Sequence, residues 1–245
     1  MSHVSSYKEK HYRNIITDDL LKSYQIKVSE TDLYIRSDTD LSDKVLEIVI
    51  KHRNLIEEYI RKRPVFLTSL KPLGEDQRAP EIIREMLRFS KSAGVGPMAS
   101  VAGAIAEFVG KDLLRYSNNV IVENGGDIFI KTGKGMRVGI FAAESALSMK
   151  VAIRVLPEET PMGICTSSAS VGHSMSFGIA DAVCVKSKSA ILADAAATFV
   201  GNRVKKKENI KRAIEDGLKI EGVLGIVVIA GDAMGIAGNI EIEAI

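Results

Sequence analysis

From Leu41 to Ile60 the apolar residues Val45, Leu46, Ile48, Val49, Leu55, Ile56 and Ile60 recur at helical spacing behind Ser42-Asp43. This predicts one long amphipathic helix that ends before Pro64. Ahead of it, Tyr24 to Val28 and Leu33 to Ile35 flank a Ser-Glu-Thr-Asp turn and read as a hairpin. Val65 to Leu70 reads as a short strand, Lys71 to Pro80 as a loop, and Glu81 to about Phe89 as a second helix. Pro97 follows a Ser-Ala-Gly-Val-Gly turn and suits the first position of a helix running through Ala99 to Leu114.

The second half changes period. Val120–Val122 and Ile128–Ile130 flank Glu123-Asn124-Gly125-Gly126-Asp127, two strands joined at a glycine pair. Further strands are expected at Arg137–Phe141, Met149–Val155, Gly163–Ser167, Asp181–Lys186, Leu224–Ala230 and Ile240–Ile245, with helices at Ser189–Arg203 and Asn209–Gly217. Strands that follow one another without helices between them argue for antiparallel pairing. The expected class is α+β, an antiparallel sheet with helices packed on one face. No linker divides the chain, so residues 1–245 are read as one domain: an N-terminal hairpin and long helix (1–64), then a motif-bearing core (65–245).

Composition narrows the function classes. Hydrophobic residues make up 46% and charged residues 26%, with a formal net charge of +2, an ordinary globular balance. Lys205, Lys206, Lys207, Lys211 and Arg212 form a local basic run, but Glu208 and Glu215 interrupt it and aromatics are only 5% of the chain, so no nucleic-acid partner is expected. No run of about 18 apolar residues and no signal-peptide core is present, which predicts a cytoplasmic protein without a membrane partner. Cys165 and Cys184 show neither disulfide nor zinc spacing, in keeping with a reducing compartment.

Candidate chemistry concentrates in four segments. In SAILADAAATFVGN, Ser189 to Asn202, Asp194 and Thr198 stand four residues apart on one helical face, where a carboxylate and a hydroxyl can share a hard cation. The same pattern also describes a packed helix whose polar groups satisfy themselves. Gly94 and Gly96 precede a helix start, where exposed N–H groups favour phosphate, although glycines there also serve simply to begin a helix. Glu123 and Asp127 are acids beside the Gly125-Gly126 turn, candidates for a second carboxylate near a metal or for bonding the backbone; Asp181 is a weaker candidate. The segment TSSASVGHSMS, Thr166 to Ser176, offers hydroxyl donors to phosphate oxygens and one histidine, His173, able to move a proton near neutral pH. It also fits a solvated polar loop. P-loop, HExxH and Ser-His-Asp patterns are absent.

The order of these motifs, a Gly/Ala helix start, then VENGGDI, then CTSS…GH, then SAILADAAAT, resembles the ApbE-like superfamily of FAD:protein FMN transferases, and most closely a shorter bacterial and archaeal branch. The resemblance spans about Gly94 to Asn202, and the DxxAT element at Asp194, Ala197 and Thr198 is its most specific match. It implies a T-fold-like architecture and a Mg²⁺ site formed by Asp194, Thr198 and a backbone carbonyl near Ser100. It also implies FAD or a related nucleotide as the anionic ligand, held by Gly94, Gly96, Ser100, Asn124, Gly125, Gly126, Asp127, Thr166, Ser167 and Ser168, and an acceptor protein as partner. His173 falls where the family's HxxDP element begins and would be the catalytic acid/base. Three departures stand out: Pro97 and Gly103 replace an Asp and a Lys around the Gly/Ala-rich helix, and Ser176-Phe177 replaces the Asp-Pro. The expected function is a Mg-dependent, flavin- or nucleotide-binding transferase; the alternative is a non-catalytic ligand-binding or accessory member in sulfur or cofactor metabolism. A free sheet edge makes a homodimer a further candidate.

Overall fold

The computed structural model describes residues 21–167 and 178–245. Lys22–Val28 (β1) and Thr31–Ser37 (β2) form the expected antiparallel hairpin. Ser42–Lys62 (α1) follows and buries Val45, Val49, His52, Ile56 and Tyr59, spaced alternately by four and three residues, so one stripe meets the core. The strand expected from Val65 is instead a helical turn, Val65–Thr68 (α2). Pro64 enters it with φ −56° and ψ −28°, which are helical angles, and the Ser69 N–H closes the turn on the Val65 carbonyl at 2.9 Å. Phe66 is buried while Val65 and Leu67 face outward. Local turn geometry set by proline therefore overrides the β-leaning composition.

Glu81–Ala93 (α3) leads through a 3₁₀ turn at Pro97–Ser100 into Val101–Leu113 (α4), with Pro97 opening the turn as its position suggests. Val120–Asn124 (β3) and Asp127–Lys131 (β4) pair with Asn124 opposite Asp127. Gly125 and Gly126, at φ 68° and 113°, supply the two positive-φ residues that a two-residue turn matched to strand twist demands. Met136–Gly139 (β5), Val151–Val155 (β6), Met162–Ser167 (β7) and Ala182–Ser187 (β8) come next, then helices Ala190–Gly201 (α5) and Ile210–Leu218 (α6). Val223–Ala230 (β9), Ala233–Gly238 (β10) and Ile242–Ala244 (β11) complete the order.

Eight strands form one antiparallel sheet in the order β1-β2-β3-β4-β7-β8-β9-β10, and β11-β6-β5 form a second, three-stranded sheet. Strand alternation sorts the core. Leu33, Ile35, Val122, Phe129, Cys165, Val185 and Val228 pack with the helices. Ile121, Ile130, Ile164, Cys184, Val227 and Ile229 pack on the opposite side with Val138 and Ile153 of the small sheet. The helices gather on one face as expected, and the small sheet covers the other. Among the described residues no single helix is long and apolar enough to cross a membrane.

Candidate functional site

The site is built where α4 and α5 meet over the ends of β3, β4 and β7. Ala190, the first residue of α5, is held between two glycines: a methyl group on Gly103 would lie 2.3 Å from the Ala190 carbonyl oxygen, and one on Gly163 would lie 2.3 Å from the Ala190 Cα. Both distances are far inside van der Waals contact, so only glycine at these positions lets α5 approach α4 and β7 this closely. That approach brings Asp194, one turn into α5, onto the start of α4. Its Oδ2 accepts the Gly103 N–H at 2.9 Å, and the Ala102 N–H points at the same carboxylate. These amides belong to the first turn of α4, where no helical carbonyl can reach them.

The glycine hairpin closes on the same place. Asn124 donates through Nδ2 to the Ala102 carbonyl at 3.1 Å, and the Thr166 N–H donates to the Gly126 carbonyl at 3.1 Å. Asp127 lies opposite Cys165 in the β4–β7 ladder, and the single thiol proton of Cys165 serves either the Ala190 carbonyl, 3.2 Å from its Sγ, or the Asp127 carboxylate. Asp127 and Asp194 are each 9% exposed. Burial, with the Glu123 charge adding to it, pushes the Asp127 carboxyl up to about 7 against the relief of its bond to Cys165. Burial first, then the Asp127 charge, drives Asp194 well above the carboxylate range despite its two backbone donors. Burial also raises the Cys165 thiol, and both acids add to that rise.

Two buried carboxylates that repel each other form a poor resting place for two negative charges and a good one for a cation between them. All the donors are oxygens, which suits a hard ion such as Mg²⁺ rather than a thiolate-seeking metal. Among the described residues no three His, Cys, Asp or Glu side chains converge as a self-sufficient metal cage. An ion held beside Asp194 would draw most of its ligands from phosphate and water.

The remaining sequence-derived positions divide. Thr198 follows Asp194 by one turn and is partly exposed, so the pair runs from the buried end of the site outward. Ser100 is fully buried at the junction with α4, and its hydroxyl donates to the Pro97 carbonyl at 2.8 Å, so its side chain is already engaged. Ser167 ends β7 beside this cluster. The Thr166 hydroxyl points to the far face of the sheet, 3.0 Å from the Cys184 sulfur, so only its backbone belongs to the cluster. Gly94 ends α3 in the left-handed conformation, its N–H bonded to Lys91, and Gly96 packs its Cα against the Ser69 carbonyl. Both glycines thus have packing roles of their own. Glu123 is buried and by strand alternation shares the face of Ile121, away from Asp194; Asp181 accepts the Gly231 N–H at 2.6 Å at the β9–β10 turn. Ser168, His173, Ser176 and Phe177 lie outside the described residues.

Two contributors escape the sequence reading. Cys165 sits under Asp127, and its only sequence signal is a small residue one step before the hydroxyl-rich segment. Glu107, 4% exposed, stands alone as an acid in the apolar run of α4, a signal the sequence does carry.

Comparison with known proteins identifies the family. The UPF0280 protein MJ1526 of Methanocaldococcus jannaschii is 43% identical over 222 residues, covering 88% of this chain and 90% of the relative. The UPF0280 protein of Methanothermobacter thermautotrophicus is 39% identical over 223 residues, covering 88% of this chain and 85% of that one. Among solved structures, the apo flavinyl transferase ApbE of Pseudomonas stutzeri superposes with a TM-score of 0.59 at 14% identity, over 89% of this chain and 94% of that one. The ApbE protein of Thermotoga maritima gives a TM-score of 0.53 at 13% identity, over 88% and 96%. These structural likenesses establish the shared fold. A family model described as AbpE bacteria matches residues 13–236, nearly the whole chain, and the protein therefore belongs to that bacterial ApbE-type family.

Proposed function

We propose that the protein binds a flavin dinucleotide or a related nucleotide at the α4–α5 cleft and catalyses Mg²⁺-dependent phosphoester transfer from it. The observation that carries this reading is the placement of two buried carboxylates, Asp127 and Asp194, at the start of α4 with Thr198 one turn beyond. Mg²⁺ bound there would neutralise pyrophosphate oxygens and stabilise charge at the phosphorus undergoing attack. Asp194 and Thr198, with the carbonyl of Ser100, would hold the ion. The Gly125-Gly126 turn, the end of β7 at Thr166 and Ser167, and Ser168 would receive the nucleotide, with Asn124 and Asp127 at the base. In the transfer an acceptor hydroxyl oxygen bonds to the FMN phosphorus while the phosphoanhydride bond to AMP breaks. His173 would take the hydroxyl proton. A protein side chain as acceptor follows from the same reading, since the Pseudomonas stutzeri neighbour is a flavinyl transferase.

One observation favours a second reading, in which the scaffold binds an anionic ligand without turning it over. Gly103 faces the Ala190 carbonyl at a distance that admits no side chain, so a lysine cannot occupy this position in this packing. An ammonium at this position to steady the leaving phosphate is thereby excluded. Incubation of the purified protein with FAD and Mg²⁺, with and without a chelator, separates the readings. AMP release that stops with chelator supports transfer; FAD recovered intact with a raised melting temperature supports binding alone; neither response removes both.

A further inference from the structure

Asp194 is half of a reciprocal arrangement. The start of α4 is capped by an acid from α5, and the start of α5 is capped by an acid from α4. Glu107 Oε2 accepts the Ser189 hydroxyl at 2.7 Å and the Ile191 N–H at 3.3 Å, both in the opening turn of α5. Its Oε1 meets Lys111 Nζ at 2.6 Å, so neither oxygen is left unpaired in the interior. Ser189 in turn accepts the Leu192 N–H. Each helix thus offers its own buried carboxylate to the other's otherwise unmet amides, and the Gly103–Ala190 contact between the two caps leaves little slack.

We infer that Glu107 is a positioning residue for the Asp194–Thr198 pair. It fixes the start of α5 by two charge-assisted bonds, and five residues later that same helix delivers Asp194 to the Gly103 N–H. Without Glu107 the first turn of α5 loses the acceptor for its Ile191 amide and for the Ser189 hydroxyl, and the helix is free to slide or fray at the end nearest Asp194. Lys111 pairs the oxygen that does not hold α5, and its ammonium is half-exposed, so it balances the Glu107 charge without fixing the helix start. The metal-holding part of this inference rests on the function proposed above; the placement of Asp194 against α4 does not.

The test measures two things in Glu107→Ala, Glu107→Gln and Lys111→Met: amide hydrogen exchange at Gly103 in metal-free protein, and Mg²⁺ affinity by calorimetry with the metal alone. Glu107→Ala should speed exchange at Gly103 about tenfold or more relative to Val228 in the central sheet, and weaken Mg²⁺ about 10- to 100-fold, the range for residues that orient metal ligands. Glu107→Gln, whose amide oxygen still accepts from Ser189, should stay within about threefold of wild type on both, as should Lys111→Met. Exchange that rises equally at Gly103 and Val228 in Glu107→Ala would reduce Glu107 to a general stabiliser and overturn the inference. So would unchanged Gly103 exchange. If the wild-type protein binds no Mg²⁺, the proposed function fails, and the Gly103 exchange ratio still decides the role of Glu107.

Discussion

Replacing Asp127 by Asn should stabilise the metal-free protein, and should do so more as the pH rises. Burial and the Glu123 charge raise this carboxyl from 3.8 to about 7, so the folded chain holds a proton there that the unfolded chain has already released. A raised acid adds its full stability below the unfolded value and loses it as pH climbs through the folded one. The gap is worth about 4 kcal/mol in full, more than half of which develops between about pH 5 and pH 8. Asparagine keeps the shape and cannot ionise. Asp194 titrates in the same direction in both proteins, and removing its repulsive neighbour eases its own ionisation, which adds to the variant's advantage. Urea unfolding of both proteins in chelator across that pH range measures the difference directly. The stability difference should move toward Asp127→Asn by about 2–3 kcal/mol between about pH 5 and pH 8. Parallel pH profiles would show that Asp127 does not carry a strained charge, and the case for a cation-seeking site would lose its electrostatic basis.

Three further outcomes follow from the geometry. Gly103→Ala should destabilise by about 3 kcal/mol or more, because the added methyl meets backbone atoms of Ala190 that cannot rotate away; chemical denaturation shows this, and a loss below about 1 kcal/mol would mean the helices part easily. Glu159→Ala leaves the Lys186 ammonium, 2% exposed and paired at 2.6 Å, without its partner and should cost about 3–5 kcal/mol, whereas Lys186→Met/Glu159→Ala together should recover most of the loss. His52 is held below its ordinary range mainly by burial, and its Nδ1 has no partner among the described residues. A base with a lowered folded pKa binds fewer protons than the unfolded chain, so stability rises with pH up to about 6.5, and His52→Gln should flatten the stability profile between about pH 5 and pH 6.5.

Much of this architecture was readable from the chain because its strongest signals are local. The stripe of α1 and the Gly125-Gly126 turn each encode their geometry in a few consecutive residues. The Ala-rich run of α5 is likewise a helix with Asp194 and Thr198 one turn apart. What escaped depends on partners distant in sequence. Strand β10, Ala-Met-Gly-Ile-Ala-Gly, has small residues on its inward face because α6 presses Ile210 and Ile214 against Gly235, so no hydrophobic alternation marks it. The sequence placed strands near β5, β6 and β11 but not in a sheet of their own; β8 and β9 are buried on both faces and need that second covering layer. Within the site, the Asp194 and Asp127 candidates meet in space, while Gly94, Gly96 and the Thr166 hydroxyl answer to packing instead. Glu107 went unnoticed because its partners lie 82 and 84 residues away.

The central claim is that Asp194, with Asp127 buried beside it, holds a cation against a phosphorylated ligand, and Mg²⁺ titration of the protein with and without FAD tests it most directly. Wild type should bind Mg²⁺ more tightly when FAD is present, and Asp194→Asn, which keeps an acceptor for the Gly103 N–H, should lose Mg²⁺ binding while remaining folded. Equal Mg²⁺ and FAD binding in wild type and Asp194→Asn would contradict the claim and leave Asp194 solely as the cap of α4.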